Sequence, residues 1–368
     1  MAFLGISEFK HFVGVVEDRF DPEKLGRLRV RVLGVHTSNK NKIATADLPW
    51  ASVLLPTTSA GISGLGQSPS FIVEGAWVWG YFRDDSKQEP VILGTMPGKP
   101  AELGNTEFGF YDPNSRLDAD GQPTGISVYP KEMDEPDTNR LAVNNADKEH
   151  STLTLRKAER IKDIPTADFD EVGSNISASD TDNWNEPEIT YKAAYPYNHV
   201  FESESGHIKE YDDTELNERI HERHKSGTSY EMLPNGDLVT LVKNSHYSIT
   251  SSNNKAFIQG DSDITINGRH KVYINKNGQE NNNYDIQVGP GANVNIQVDN
   301  GNLNVVTKTG QFNFDVGSDM NINVGGNYNL NVQGNILETA KQQTTNIDGE
   351  VEINAGEVDI NAVPINLN

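Results

Sequence analysis

The stretch Phe312-Asn-Phe314-Asp-Val316-Gly317, Met320-Asn-Ile322-Asn-Val324-Gly325, Tyr328-Asn-Leu330-Asn-Val332-Gln333 decides the fold. Each unit sets three apolar residues in alternation with small polar ones, and a turn of Gly, Asn, Ser or Asp follows. Alternation of period two is a strand signal. The units recur every eight residues, and a fixed longer period marks a solenoid or a fibre.

Upstream, Ile258, Ile266 and Ile274 keep the count of eight, as do Gly260 and Gly268. Ile286 and Val288 are answered by Val294 and Ile296. The register slips by one residue at Leu303 and Val305 and by one more before Phe312, and Asn281 to Asn283 read as an inserted loop. Three apolar side chains make a narrow stripe, and an eight-residue turn cannot wrap a core of its own. Alone, such a unit leaves both backbone edges unpaired and its stripe wet, both unfavourable. Three identical chains wound together cover both, and burying the stripe contributes roughly 5–8 kcal/mol per octad at ~1.5–3 per side chain, before entropy costs. The expected trimer core is Ile258, Ile266, Ile274, Phe312, Phe314, Val316, Met320, Ile322, Val324, Tyr328, Leu330 and Val332. Gly317 and Gly325 are expected at corners, where φ above zero is open to glycine, and the regular Asn can stack in ladders. A single-chain solenoid is the alternative, but its coils need roughly 20 residues or more.

Composition narrows the function classes. Net charge is -22 and hydrophobic residues are 35% of 368, low for one compact core. Such charge argues against holding nucleic acid by its phosphates, which takes clustered Lys and Arg. Cysteine is absent, so disulfide and thiolate chemistry are closed. No apolar run nears the roughly 18–20 residues of a membrane span, and Met1-Ala-Phe-Leu-Gly lacks the pattern of a secretory signal. Residues 281–335 carry fifteen Asn but one Lys, Lys308, and four acidic residues. The evenly placed Ile, Val, Phe and Leu argue for ordered strands there rather than a low-complexity tract.

The expected fold is all-β, in three regions: an OB-type barrel over 1–104, an extended linker over 105–195, and an intertwined triple-stranded β-helix over 196–368. In the first, Phe12–Val16, Gly26–Gly34, Trp50–Leu55, Ala76–Phe82 and Pro90–Gly94 read as five short strands, the count of a small closed barrel. Leu28, Val30 and Val32 share one face of the second strand and Arg27, Arg29 and Arg31 the other. Trp77, Trp79, Tyr81 and Phe82 read as core or interface. The glycines of Ser59 to Gly66 lack the Gly-Lys-Ser/Thr ending of a phosphate loop. The middle region is rich in Asp, Ser and Pro, with one short ordered piece expected near Leu153 to Ile164. His221 and His224, with Glu218 and Glu222 near, have residue types a metal can use, set against an exposed polar face; no metal or cofactor is expected.

A family resemblance rests on ordered motifs. Phe12-Val-Gly-Val-Val-Glu-Asp-Arg-Phe-Asp-Pro-Glu-Lys-Leu-Gly-Arg-Leu-Arg-Val-Arg-Val32 resembles the N-terminal barrel of the central spike proteins of contractile-tail, T-even-like phage baseplates. Leu48-Pro-Trp50, Thr58-Ser-Ala60, Gly64-Leu-Gly66 and Val91-Ile-Leu-Gly-Thr95 match in order, and Gly109–Pro113 and Asp137–Ala142 are similar to that family's linker. Phe201-Glu-Ser-Glu-Ser-Gly-His207 and Asp212-Asp-Thr214 resemble the start of its three-chain β-helix, and also that of the valine-glycine-repeat spikes of type VI secretion. The resemblance implies a homotrimeric spike at the centre of a virion's tail baseplate, assembled in the host cytoplasm. It would pierce the host outer membrane by transmitted contraction. It also implies a hub protein at the barrel end, for which Arg27, Arg29 and Arg31 are the candidate strip, with solvated charge as the alternative.

Two departures matter. T-even spikes carry a lysozyme domain between barrel and rod, whereas the interval here is about ninety residues. Glycoside hydrolysis needs two carboxylates on a rigid scaffold, and Glu132, Asp134, Glu135 and Asp137 lie in a Pro-containing stretch. The expectation is therefore a structural protein with no catalytic residues. Some spikes of the family hold an ion at a His-x-His tip, but after His270 this chain has no His. Its end, Ala362-Val-Pro-Ile-Asn-Leu-Asn368, puts Val363, Ile365 and Leu367 at an apolar tip. Such a patch implies docking, here of a separate small conical tip protein. The competing functions are a type VI secretion spike, a peptidoglycan hydrolase with an unrecognised middle domain, and a host-receptor fibre.

Overall fold

The computed structural model describes residues 10–102, 104–129, 134–143, 176–177, 183–184, 191–275 and 283–361. The chain divides into two compact units, Met1–Lys271 and Val272–Asn368. The piece expected at Leu153 to Ile164, and Asn281 and Asn282 of the expected loop, lie outside the described residues.

The first unit opens with a closed barrel of five strands: β1 (His11–Asp18), β2 (Leu28–Val32), β3 (Trp50–Val53), β4 (Trp77–Phe82) and β5 (Pro90–Thr95). The order around it is β1-β2-β3-β5-β4, with β4 returning to β1. Only the β3–β5 pair is parallel among these strands. Closure removes the free edges that a five-stranded open sheet would present. Alternation in β2 sends Leu28, Val30 and Val32 inward onto Phe12, Val16, Ala51, Val78, Phe82 and Ile92. The Phe12 and Phe82 rings meet at 4.9 Å between centroids. On β4, Val78 and Phe82 are buried while Trp77 and Trp79 face outward.

Outside the barrel wall, a second polar core holds neighbouring segments down. Arg31 is fully buried, and so is Glu17 beside it. The guanidinium donates to both Glu17 carboxylate oxygens at 2.7 and 3.0 Å, and to the carbonyls of Thr37 and Ile43 at 2.7 and 2.9 Å. Glu17 also accepts from Thr45 Oγ1 at 2.8 Å and from the Phe110 N–H at 3.0 Å. Burial pushes the Glu17 carboxyl up, but the hydrogen bonds from Arg31, Thr45 and Phe110 outweigh it and leave the carboxyl below its ordinary range. Gly109 lies against the Arg31 guanidinium, where a Cβ would come within 2.3 Å. A pair so fully hydrogen-bonded avoids the penalty of an isolated buried charge.

The region expected as an extended linker is more structured than its composition suggests. β6 (Ser115–Leu117) and β7 (Pro123–Ser127) form a hairpin, whose turn is closed by Asp118 accepting the Asp120 and Gln122 N–H groups. β8 (Ile176–Ser177) pairs with β9 (Asn183–Trp184). Leu141, Ala142 and Ala193 are buried, and Leu141 packs with Ile208, Tyr191 and Val200.

That packing covers one face of a five-stranded antiparallel sheet: β10 (Asn198–Glu202), β11 (Ile208–Asp212), β12 (Arg219–Arg223), β13 (Ser229–Met232) and β14 (Leu238–Leu241), neighbours in chain order. Gly206, Gly227 and Gly236 take positive φ in its tight turns, which glycine does without a steric cost. The sheet is formed by one chain, where the sequence had suggested intertwining from residue 196 onward. Among the described residues no strand follows β14.

Arg31→Ala should leave Glu17 buried without its cation and destabilise the barrel by about 3–5 kcal/mol, read by equilibrium denaturation. A loss below about 1 kcal/mol, the scale of an ordinary surface change, would show that the pair is dispensable.

Candidate functional site

The octads behave alike wherever they are described. All twelve expected core residues, from Ile258 to Val332, are between 42% and 68% exposed in the single chain. Bends fall at Gly317-Ser318 and Gly325-Gly326, where corners were expected. The expected reason for glycine there is corrected, because neither Gly317 nor Gly325 takes positive φ. Left-handed backbone instead occurs at Gly291, Gly301 and Gly310. The Phe312 and Phe314 rings pack edge-on at 4.6 Å, a local contact that leaves both exposed. Backbone of this kind, outside any strand and with its apolar side chains in water, is unfavourable unless something covers it.

The barrel and the five-stranded sheet are fastened by a charged clasp. Arg19 donates to both oxygens of Glu204 at 2.8 Å, and its Nε lies 3.2 Å from Glu74. The Tyr129 hydroxyl donates to Glu204 as well. Beside it, Phe71 meets Phe201 edge-on at 5.0 Å, and Asn139 donates to Glu202 at 2.7 Å. Hydrogen bonds from Arg19 and then Tyr129 hold the Glu204 carboxyl down at about 2. Burial and the Glu204 hydrogen bond push the Tyr129 hydroxyl up to about 12.

The sheet's covered face is polar. Glu210 accepts from Arg219 at 3.1 Å and from Asn198 at 3.0 Å, and lies 2.7 Å from His221 Nδ1. Arg219 also donates to Glu231 at 2.7 Å and stacks 4.5 Å over the Tyr191 ring. Burial raises the Glu210 carboxyl, but the His221 hydrogen bond and the Arg219 charge bring it below its ordinary range. His221 is thus buried and hydrogen-bonded to Glu210, not part of the exposed polar face weighed from the sequence. His224 is exposed, hydrogen-bonded to Ser226 and stacked 4.5 Å from His207. No cluster of three metal-ligating side chains occurs among the described residues.

Of the arginine strip, Arg31 does not share the solvent-facing side expected of it, while Arg27 and Arg29 are partly exposed. Arg31 is the buried partner of Glu17. Arg27 is bound by Asp21 at 2.7 and 3.0 Å. Arg29 stacks 4.5 Å over Trp50 and donates to the Leu48 carbonyl at 3.0 Å. Alternation alone could not show this, because loops and the 109–110 segment cover the outer face of β2. Of the four carboxylates weighed in the middle region, Glu132 lies outside the described residues, Glu135 is buried against Arg140, and Asp137 accepts the Gly98 N–H at 2.8 Å. Val363, Ile365 and Leu367 lie outside the described residues.

Comparison with known proteins supplies the class, a structural spike of a phage baseplate. Residues 34–187 match the family model described as Gp5 N-terminal OB domain. The chain is 36% identical over 303 residues to Protein Gp5 of Vibrio phage KVP40, covering 75% of this chain and 67% of that protein. It is 48% identical over 110 residues to the pre-baseplate central spike protein Gp5 of Enterobacteria phage T4, covering 28% of this chain and 19% of that protein. The chain belongs to the Gp5 central spike family.

The clasp sets a pH dependence. A carboxyl lowered from 4.5 to about 2 contributes its full stabilisation above about pH 4.5 and loses it as pH falls through about 2. The thermal transition of the first unit should therefore fall across that window in the parent and fall less steeply in Arg19→Ala. Equal slopes in the two proteins would count against the clasp.

Proposed function

We propose that three copies of this chain form the puncturing shaft of a contractile tail. The barrels sit at the hub end, and the octad region projects toward the host as a rigid rod that passes contraction force to the outer membrane. The supporting observation is the uniform exposure of the octad side chains in a single chain. One octad buries nothing alone, whereas three braided copies make a continuous apolar interior. The covalent chain then carries load along its length, and the buried stripe resists bending. Asn-rich octads with few charges suit close approach of three like chains that each carry -22 overall.

The same reading makes the protein a structural component, with no muralytic centre of its own. Glu135 and Asp137 are spent on Arg140 and the Gly98 backbone. It places a hub protein at the barrel end and a small tip protein on the apolar C-terminal residues. It also puts assembly in the host cytoplasm, where a cysteine-free chain needs no oxidation.

Solution mass tests the braid: light scattering should give three times 40.6 kDa. Ile322→Asp should abolish that assembly, because three charges would be buried together. A well-folded lone chain in the parent would overturn the reading. Purified protein should release no muropeptides from peptidoglycan above a buffer control, and measurable release would restore the hydrolase. Deleting residues 363–368 should end co-purification of the tip protein while the trimer persists; unchanged capture would place the tip contact elsewhere.

A further inference from the structure

A groove lies between the barrel and the β6–β7 hairpin. It encloses about 1060 Å³, and Trp77, Met96, Phe108 and Tyr129 are among its walls. Trp77 is 39% exposed, Met96 45% and Phe108 50%. That volume is at the upper end of small-ligand sites, so it suits a few residues of peptide. Tyr129 places the groove beside the clasp, because its hydroxyl also donates to Glu204.

The polar lining is short of positive charge. Glu74 and Asp112 both line the groove, and both are buried. Gly75 sets them together: its φ is +87°, and a Cβ there would come within 2.9 Å of the Asp112 Cβ. Asp112 accepts from the Asn114 N–H at 2.9 Å and from the Ser127 hydroxyl at 2.6 Å. Glu74 is not served in that way. Arg19 Nε lies 3.2 Å from its Oε2, but that oxygen accepts no hydrogen bond, and the two terminal nitrogens of the guanidinium are directed at Glu204. Lys40, the next cation to act on Asp112, donates to the Thr106 carbonyl. Burial and the like charges of Asp112 and Glu204 push the Glu74 carboxyl up, against the pull of Arg19. Among the described residues that line the groove, exposed Lys99 is the sole cation against Glu74, Glu102, Asp112 and Asp137.

We infer that this groove receives an extended segment of a partner protein that carries an arginine, whose guanidinium enters between the aromatic walls and reaches Glu74. Charge selects a cation, because a buried carboxylate without its own counter-ion is costly and the surrounding carboxylates repel an acidic segment. The aromatic walls select arginine over lysine: a flat guanidinium stacks on a ring while its N–H fork meets a carboxylate. The volume and the apolar walls select a peptide over a free cation, which would leave most of the groove uncovered. Every residue of the site belongs to one copy of the chain, so the inference is independent of the proposed trimer.

The test uses the full chain and two capped peptides, acetyl-Ala-Leu-Arg-Leu-Ala-amide and the same peptide with uncharged citrulline in place of arginine. Calorimetry at about 0.15 M salt screens long-range attraction to the acidic chain. The parent should bind the arginine peptide roughly tenfold more tightly than the citrulline peptide, the scale of a charged hydrogen-bond partner. Glu74→Gln should erase that preference and leave citrulline binding unchanged, whereas Phe108→Ala should weaken both peptides alike. Glu89→Gln, which removes one charge from the exposed β4–β5 loop, should keep the preference. Equal binding of the two peptides by the parent, or binding of neither, overturns the inference without any variant having to fold. So does a preference that survives Glu74→Gln or disappears in Glu89→Gln. Spermidine bound as tightly as the arginine peptide would assign the groove to a free polyamine and overturn the peptide.

Discussion

Eight residues with three alternating apolar side chains cannot enclose anything. That geometric shortage governs this protein. A strand of this length has a face too narrow to fold back on, and its backbone donors and acceptors remain without partners in its own chain. The described octads show the outcome plainly: backbone with no strand pairing, bends at regular intervals, and Ile, Phe, Val and Leu side chains turned to solvent. Every other part of the chain can be understood as preparing, aligning or anchoring that unfinished surface.

The preparation is done by elements that are complete in one copy. The barrel closes on itself and needs no neighbour. The sheet of β10 to β14 is half complete: Leu141 and Tyr191 pack on the face that carries Glu210, Arg219, His221 and Glu231, and the other face is more open. Buried ion pairs contribute little net stability against a well-packed apolar equivalent, but they admit few alternative arrangements. Such a network fixes strand register. A slip of one residue would turn Glu210, Arg219 and Glu231 outward and Tyr211, Ile220 and Met232 inward. The Arg19–Glu204 clasp then holds this sheet to the barrel at a defined place.

Much of this architecture was legible in the sequence, and the rest was hidden for identifiable reasons. The five barrel strands could be placed from alternation and turn residues, because Leu28, Val30 and Val32 obey a period that local geometry imposes. The repeat of eight was legible for the same reason, and bends recur at Gly317-Ser318 and Gly325-Gly326, although no strand is described there. The outer face of β2 was not: Arg27, Arg29 and Arg31 alternate as a solvent-facing set would, yet Asp21 in the preceding turn, Trp50 on β3 and Glu17 on β1 engage them. His221 misled in the same way, because its neighbours Glu218 and Glu222 are close along the chain while its partner Glu210 is across the sheet. In the middle region buried Leu141 and half-buried Tyr191 sit in polar stretches of sequence with no periodicity, so nothing local announces that they pack.

The Glu17–Arg31 pair has a bearing on how the chain may be dissected. Composition draws the edge of the barrel near residue 104, but the lid over that pair comes later: Lys40 reaches the Thr106 carbonyl at 2.8 Å, Gly109 donates to Ser38, also at 2.8 Å, and the Phe110 amide satisfies Glu17. A fragment ending at the compositional edge would keep all five strands and lose the roof over this fully enclosed ion pair, admitting water to both ions. The smallest self-sufficient head of this spike therefore extends beyond Phe110, and its true margin is drawn by a backbone amide and not by the last strand.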